Sequence, residues 1–137
     1  MPTEIQIQTL IANDRKKVWD YYTNPTHITQ WNFADLSWHC PHAKVELKNG
    51  GTYMARMEAK DGSFGFDFEA IFDSVKEHES ITYTMTDKRK AKIEFKDKAP
   101  HTEVTITFDA ETENPIEMQK EGWQSILNSF KNYVESH

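Results

Sequence analysis

Three groups of side chains have types and spacing that could support chemistry. His39, Cys40 and His42 place two imidazoles and a thiol in one short run, a donor set that suits zinc. Pro41 stiffens that run and no fourth ligand lies nearby, so His27 or His101 would have to be brought in by the fold. The stretch reads as a surface loop carrying a single thiol, with no basic neighbour or helix terminus to lower the pKa of Cys40. Tyr53, Tyr83 and Thr9 form the second group: alternation turns them inward, where a hydroxyl can both donate and accept a hydrogen bond. Asp67 and Glu69 alternate with Phe66 and Phe68 and so belong to the opposite, wetter face of their strand. No Ser–His–Asp set, glycine-rich phosphate loop or facing pair of carboxylates is present. Acid–base catalysis needs such groups held together, so the sequence leans away from an enzyme and calls for no cofactor and no metal. The third group, Lys88-Arg89-Lys90-Ala91-Lys92, reads as the solvated end of a hairpin.

The chain has 137 residues, with 16 Lys and Arg against 22 Asp and Glu, for a net charge of −6. Sequence-independent binding of nucleic acid or of an anionic membrane rests on excess positive charge, so neither is an expected partner. A single cysteine cannot form an internal disulfide, and no apolar run approaches the ~20 residues of a membrane-spanning helix. Glu4, Gln6 and Gln8 interrupt the N-terminal stretch where a signal peptide would be continuously apolar. A soluble protein of a reducing, cytoplasmic compartment is the expectation. Hydrophobic residues at 37 % and aromatics at 12 % are enough to fill a core, and no linker or repeat divides the chain, so residues 1–137 read as one domain.

The elements that must position these groups are legible from periodicity. Ile5, Ile7, Thr9 and Ile11 alternate with polar residues and mark a half-buried strand. Asn13-Asp14 supplies a helix cap, Val18, Trp19 and Tyr22 follow at helical spacing, Asn24-Pro25 closes that helix, and a second short turn covers His27–Trp31. From Ala43 onward strand follows strand, with Asn49-Gly50-Gly51 and Asp61-Gly62 as turns. Val45 and Leu47 alternate first, then Tyr53, Ala55 and Met57. Phe64, Phe66, Phe68, Ala70 and Phe72 share one face of the next strand. Ile81, Tyr83 and Met85, then Ala91, Ile93 and Phe95, then Val104, Ile106 and Phe108 complete the run. Spacings of hairpin length predict antiparallel neighbours. Near the end the period changes: Asn114 can cap, Pro115 suits the first helical position, and Ile116, Trp123, Ile126, Leu127, Phe130, Tyr133 and Val134 recur at helical steps. Gly122 interrupts that helix, and a close backbone approach to the sheet would account for it. The plan is α+β.

The inward aromatics carry the strongest signal. Phe66, Phe68, Tyr83, Met85 and Phe95 would face Trp123, Leu127 and Phe130 across the sheet–helix interface. A filled core and a modest apolar cavity both fit these residue types, and Met57 and Met85 are adaptable linings for the second. Trp31, Phe33, Leu36 and Trp38 form an aromatic stretch that reads as a lid at a cavity mouth, a plug at one end of the sheet, or a contact between two copies of the chain.

Taken in order, these residues resemble a known family. Lys17-Val18-Trp19-Asp20, then Asn24-Pro25 and Gln30-Trp31, are similar to the opening of the activator-of-Hsp90-ATPase-homologue-like family. Gly50-Gly51-Thr52-Tyr53 resembles its Gly-Gly turn, and Gly122-Trp123 with Leu127, Phe130 and Tyr133 resembles its C-terminal helix. The resemblance implies the helix-grip fold of the START/Bet v 1-like (SRPBCC) superfamily: a curved antiparallel sheet around a long C-terminal helix, with two short helices after the first strand. It also implies an interior cavity for a lipid-like, aromatic or polyketide-like ligand. Trp31, Trp38, Tyr53, Met57, Phe66, Phe68, Tyr83, Met85, Phe95, Trp123, Leu127 and Phe130 are the candidate ligand-binding residues. Two further roles come with the resemblance: a chaperone-associated interaction module, docking through Trp31–Trp38, and a cyclase- or aromatase-like enzyme.

Overall fold

The computed structural model describes residues 3–137. Strand β1 (Glu4–Ile11) leads into helices α1 (Arg15–Thr23) and α2 (Pro25–Trp31); short strands β2 (Trp38–His39) and β3 (Ala43–Val45) follow. A meander continues through β4 (Thr52–Ala59), β5 (Gly65–Lys76), β6 (Ser80–Met85), β7 (Lys90–Lys98) and β8 (His101–Asp109), and helix α3 (Ile116–Ser136) closes the chain. The sheet runs β1-β8-β7-β6-β5-β4-β2, with β3 also paired to β4, and every pairing is antiparallel. Two short helices after β1, a curled antiparallel sheet and a long C-terminal helix are the α+β architecture expected from the sequence.

Local chemistry sets the boundaries. Asp14 caps α1, its carboxylate accepting the Lys17 N–H at 3.0 Å. Asn24 ends α1 and caps α2 as well, accepting the Thr26 N–H at 3.0 Å, and Pro25 takes the first helical position. Between β3 and β4 the two glycines do different work. Gly50 turns the chain at φ +81°, while a Cβ on Gly51 would collide with the Glu46 carbonyl oxygen. The register of β5 against β6 shifts between Phe72 and Ser74, and such a bulge bends a strand and tightens its twist.

Helix α3 begins differently from the sequence expectation. Pro115 is the residue before its first turn rather than in it, with extended backbone, and no side chain caps it. Asn114 bonds to Glu111 instead. The buried Gln119 organises this entry: its Oε1 accepts from Glu111 N at 2.9 Å, and its Nε2 donates to Glu111 O at 3.1 Å and Asn114 O at 2.8 Å. Ile116, on the apolar stripe of the sequence, is exposed, as is Leu47 beyond the end of β3.

With 21 residues, α3 is about 31 Å long and crosses the concave face. It packs on β1, α1 and α2 and is tied there by polar contacts. Ser129 Oγ donates to Trp31 O at 2.8 Å, Lys131 Nζ to Leu10 O at 2.7 Å, and Glu135 accepts from Ala12 N at 2.8 Å. The close approach expected at Gly122 is absent, since a Cβ added there would meet nothing within 4 Å. Gly122→Ala should therefore gain most of the ~1 kcal/mol helix-propensity difference between the two residues, raising the melting temperature by about 3–5 °C. A fall in melting temperature would show that the space at Gly122 is needed by the fold.

Candidate functional site

Because α3 lies toward the β1 side, the inward faces of β4, β5 and β6 curl away from it, and the space between is not filled. The inward positions there combine large aromatics with buried alanines, Ala55 on β4, Ala70 on β5 and Ala91 on β7. The rings wall the space, and the three alanines are not part of its lining. The result is a cavity of about 260 Å³, larger than the ~150 Å³ apolar void that accepts a benzene molecule.

Its sheet wall is Tyr53 and Met57 from β4, Phe66 and Phe68 from β5, Tyr83 from β6 and Ile106 from β8; its helix wall is Trp123, Ile126, Leu127 and Phe130. Tyr22, Trp31 and Asn32 close the end under α1 and α2, and Arg89 borders the other side. Trp123 lies flat on Phe108, with centroids 3.9 Å apart and planes 9° apart, so its ring is fixed as a wall. Phe130 is held at the inner end by edge contacts to Trp31 at 4.8 Å and Tyr22 at 5.1 Å. The partly exposed Phe66 forms the rim.

Nine of the twelve residues expected at the site thus line one cavity. Three lie elsewhere. Trp38 is on the short β2 beside Ala59, and its ring meets Phe64 and Phe66 edge-to-face at the outer edge. Phe95 is buried under α1, edge-on to Trp19 at 5.2 Å and Tyr22 at 5.6 Å. Met85 ends β6 beside Ala70, buried in the sheet floor. All three have the expected residue type, but each sits one neighbour removed from the gap. The aromatic stretch divides as well: Trp31 is buried in the cavity wall while Leu36 is exposed, so these residues form no continuous surface.

Sequence reading omitted Tyr22, Asn32, Arg89, Ile106 and Ile126 from the site. A signal existed for Arg89. It follows the same alternation as Ala91, Ile93 and Phe95, and it closes the β6–β7 turn by accepting Met85 N–H at 2.7 Å through its carbonyl. Its basic neighbours hide this, since Lys88 and Lys90 are exposed.

The polar groups of the cavity are few. Burial raises the pKa of Tyr22, Tyr53 and Tyr83, the last two further through the neighbouring phenols, so all three remain protonated donors. Tyr53 Oη accepts from Asn32 Nδ2 at 3.5 Å. The hydroxyls of Tyr22 and Tyr83 make no hydrogen bond to the described residues, yet no sealed side-chain nitrogen or oxygen lacks a partner. Neither hydroxyl is therefore sealed, and both residues line the cavity. The same three tyrosines separate it from a second void of about 20 Å³ behind them.

The histidine–cysteine run lies away from this site. Cys40 is buried, burial pushes its thiol up to about 11, and its Sγ donates to His42 O at 3.5 Å. At neutral pH it is an unreactive thiol. His39 faces Glu58 at 3.5 Å. Among the described residues no group of three or more His, Cys, Asp or Glu side chains is arranged to hold a metal ion, and no helix is long and apolar enough to cross a membrane.

The family profile described as "Activator of Hsp90 ATPase homolog 1-like protein" matches residues 13–135. The solution structure of an AHSA1-like protein from Aeromonas hydrophila superposes with a TM-score of 0.93 at 38 % identity, covering 98 % of this chain and 93 % of that one. A solution structure from Cytophaga hutchinsonii gives a TM-score of 0.84 at 44 % identity, with coverage of 97 % and 92 %. A crystal structure from Nitrosomonas europaea, at 17 % identity and a TM-score of 0.82 over 97 % and 94 % of the two chains, shares the fold. Comparison with curated proteins gives no match.

Proposed function

The chain belongs to the Activator of Hsp90 ATPase homolog 1-like family, and on that premise we propose that it binds one small apolar or amphipathic molecule between its sheet and α3. The observation that carries this reading is the unfilled cavity of about 260 Å³ walled by Met57, Phe68, Ile126, Leu127 and Phe130. Protein interiors otherwise pack to a density of ~0.74, so a gap of this size beside free tyrosine hydroxyls fits a ligand. Its size suits a bicyclic aromatic or a medium-length chain. Removing ~300 Å² of apolar ligand surface from water at ~25 cal/mol/Å² gives about 7–8 kcal/mol before association costs. Net affinity is then in the micromolar range or weaker for an unoptimised ligand.

Binding without turnover is the proposed role, because neither carboxylate nor imidazole lines the cavity among the described residues. Native mass spectrometry of the purified protein tests it. A retained apolar small molecule, released on denaturation, is the expected result. A clean apo mass, together with no uptake of added medium-chain alcohols, would contradict it.

A second reading draws on the exposed apolar edge formed by Phe64 at 61 % and Phe66 at 43 % exposure, with Trp38 beside them. This edge suits docking of a protein partner, a chaperone of the kind named in the family description or a second copy of the chain. Stimulation of an Hsp90-type ATPase that is lost in Phe64→Ser would support it; unchanged ATP turnover with and without the protein would remove it.

A further inference from the structure

One charged side chain borders the apolar cavity, and its geometry narrows the ligand class. Arg89 is three-quarters buried, with a side-chain exposure of 25 %. Its guanidinium is oriented from behind. Nε donates to Asp87 Oδ2 at 2.6 Å and Nη1 to the Asp109 carbonyl oxygen at 3.4 Å. Of the five N–H donors that a guanidinium carries, the other three have no protein partner among the described residues. Tyr83, whose hydroxyl is also free, lines the same cavity.

The charges around Arg89 matter to what it can hold. Asp87 is half-exposed at 52 %, and its carboxylate is engaged on the Nε side. Asp109 directs Oδ2 to Lys90 N at 2.9 Å and offers Arg89 only its backbone carbonyl. Lys88 and Lys90 flank the turn. Three basic side chains therefore share this turn with two carboxylates, Asp87 and Asp109, and of these five Arg89 alone lines the cavity. An apolar cavity whose one charged side chain is a guanidinium with unused N–H donors is complementary to a molecule with an apolar body and an anionic head.

We propose that the cavity selects a monoanionic amphiphile, with its carboxylate on the free edge of Arg89 and its apolar body against Trp123, Leu127 and Phe130. A carboxylate presents two acceptor oxygens to the planar guanidinium fork, a charge-assisted and directional match that neither an alcohol nor an amine reproduces. Tyr83 adds a neutral donor beside it. Asp87 is a positioning residue: it engages the Nε side and leaves the Nη edge available. This inference rests on the cavity reading above and goes beyond it by naming the head group.

The test compares decanoate with decanol, which share an apolar body and differ in the head group, by calorimetric titration of the full chain. Wild-type protein should bind decanoate at least about 10-fold more tightly. Arg89→Gln should reduce that ratio to near one, with decanoate affinity falling much more than decanol affinity; Arg89→Lys should restore part of it. The Arg89 Nε–H resonance of wild-type protein should also move with decanoate and stay fixed with decanol, a readout that needs no variant to fold. Equal binding of the two compounds, or a decanoate preference that survives Arg89→Gln, overturns the head-group assignment and leaves the cavity reading standing. Binding of neither compound overturns the cavity reading, and this inference with it.

Discussion

Phe130→Ala is expected to destabilise the fold by about 3–5 kcal/mol, the usual range for truncating a fully buried phenylalanine. Its ring is 0 % exposed and joins α3 to both short helices through Trp31 and Tyr22. It also forms the inner wall of the cavity. Truncation removes burial and edge-to-face contacts together, and the void beside it enlarges rather than collapsing. Since small domains have total stabilities of about 5–15 kcal/mol, denaturant titration should show a midpoint lowered by a large fraction. Trp123→Ala should cost less although the residue is larger, because Trp123 is only part-buried and has one aromatic partner, Phe108. If Trp123→Ala proves the more damaging, the helix is anchored at its N-terminal half rather than at Phe130.

The second large effect concerns binding. Ile126 lies on the cavity side of α3, part-buried and in its wall. Ile126→Trp directs an indole into the open volume, where it competes with any ligand body. Affinity for medium-chain amphiphiles should fall by at least about 10-fold, equivalent to ~1.4 kcal/mol. The melting temperature should remain within a few degrees of wild type, because the added ring enters existing space rather than a packed core. Undiminished affinity would place the ligand outside this cavity.

Much of the architecture was legible in the sequence for a simple reason. Where one face of an element is buried, period is a direct record of structure: Ile5, Ile7 and Ile11 on β1, or Leu127, Phe130 and Val134 on α3, are all buried as their spacing requires. The walls of the site followed from the same rule, through Tyr53, Met57, Phe66, Phe68 and Tyr83. Alternation gives only which side of a sheet a residue faces, not how far the opposing helix stands from it. Phe95 and Met85 face inward as expected, yet α1 and the sheet floor cover them. That distinction depends on α3 leaning toward β1, a tertiary offset with no local signature. Gly122 differs from expectation for a similar reason: a glycine inside a helix suggests a point of contact, whereas this one faces open space. Arg89 shows the opposite error. Its strand parity pointed inward, but the surrounding Lys88, Lys90 and Lys92 made the whole run read as solvated.

The central claim is that the gap between α3 and strands β4 to β6 is a ligand site. Methyl NMR of labelled isoleucine, leucine and methionine during titration with decanoate tests it most directly. Binding in the cavity predicts saturable shifts at Met57, Ile106, Ile126 and Leu127, with Leu36, Leu47 and Ile71 on the outside unmoved. Shifts confined to those outer methyls, or none at all while the protein remains folded, would contradict it.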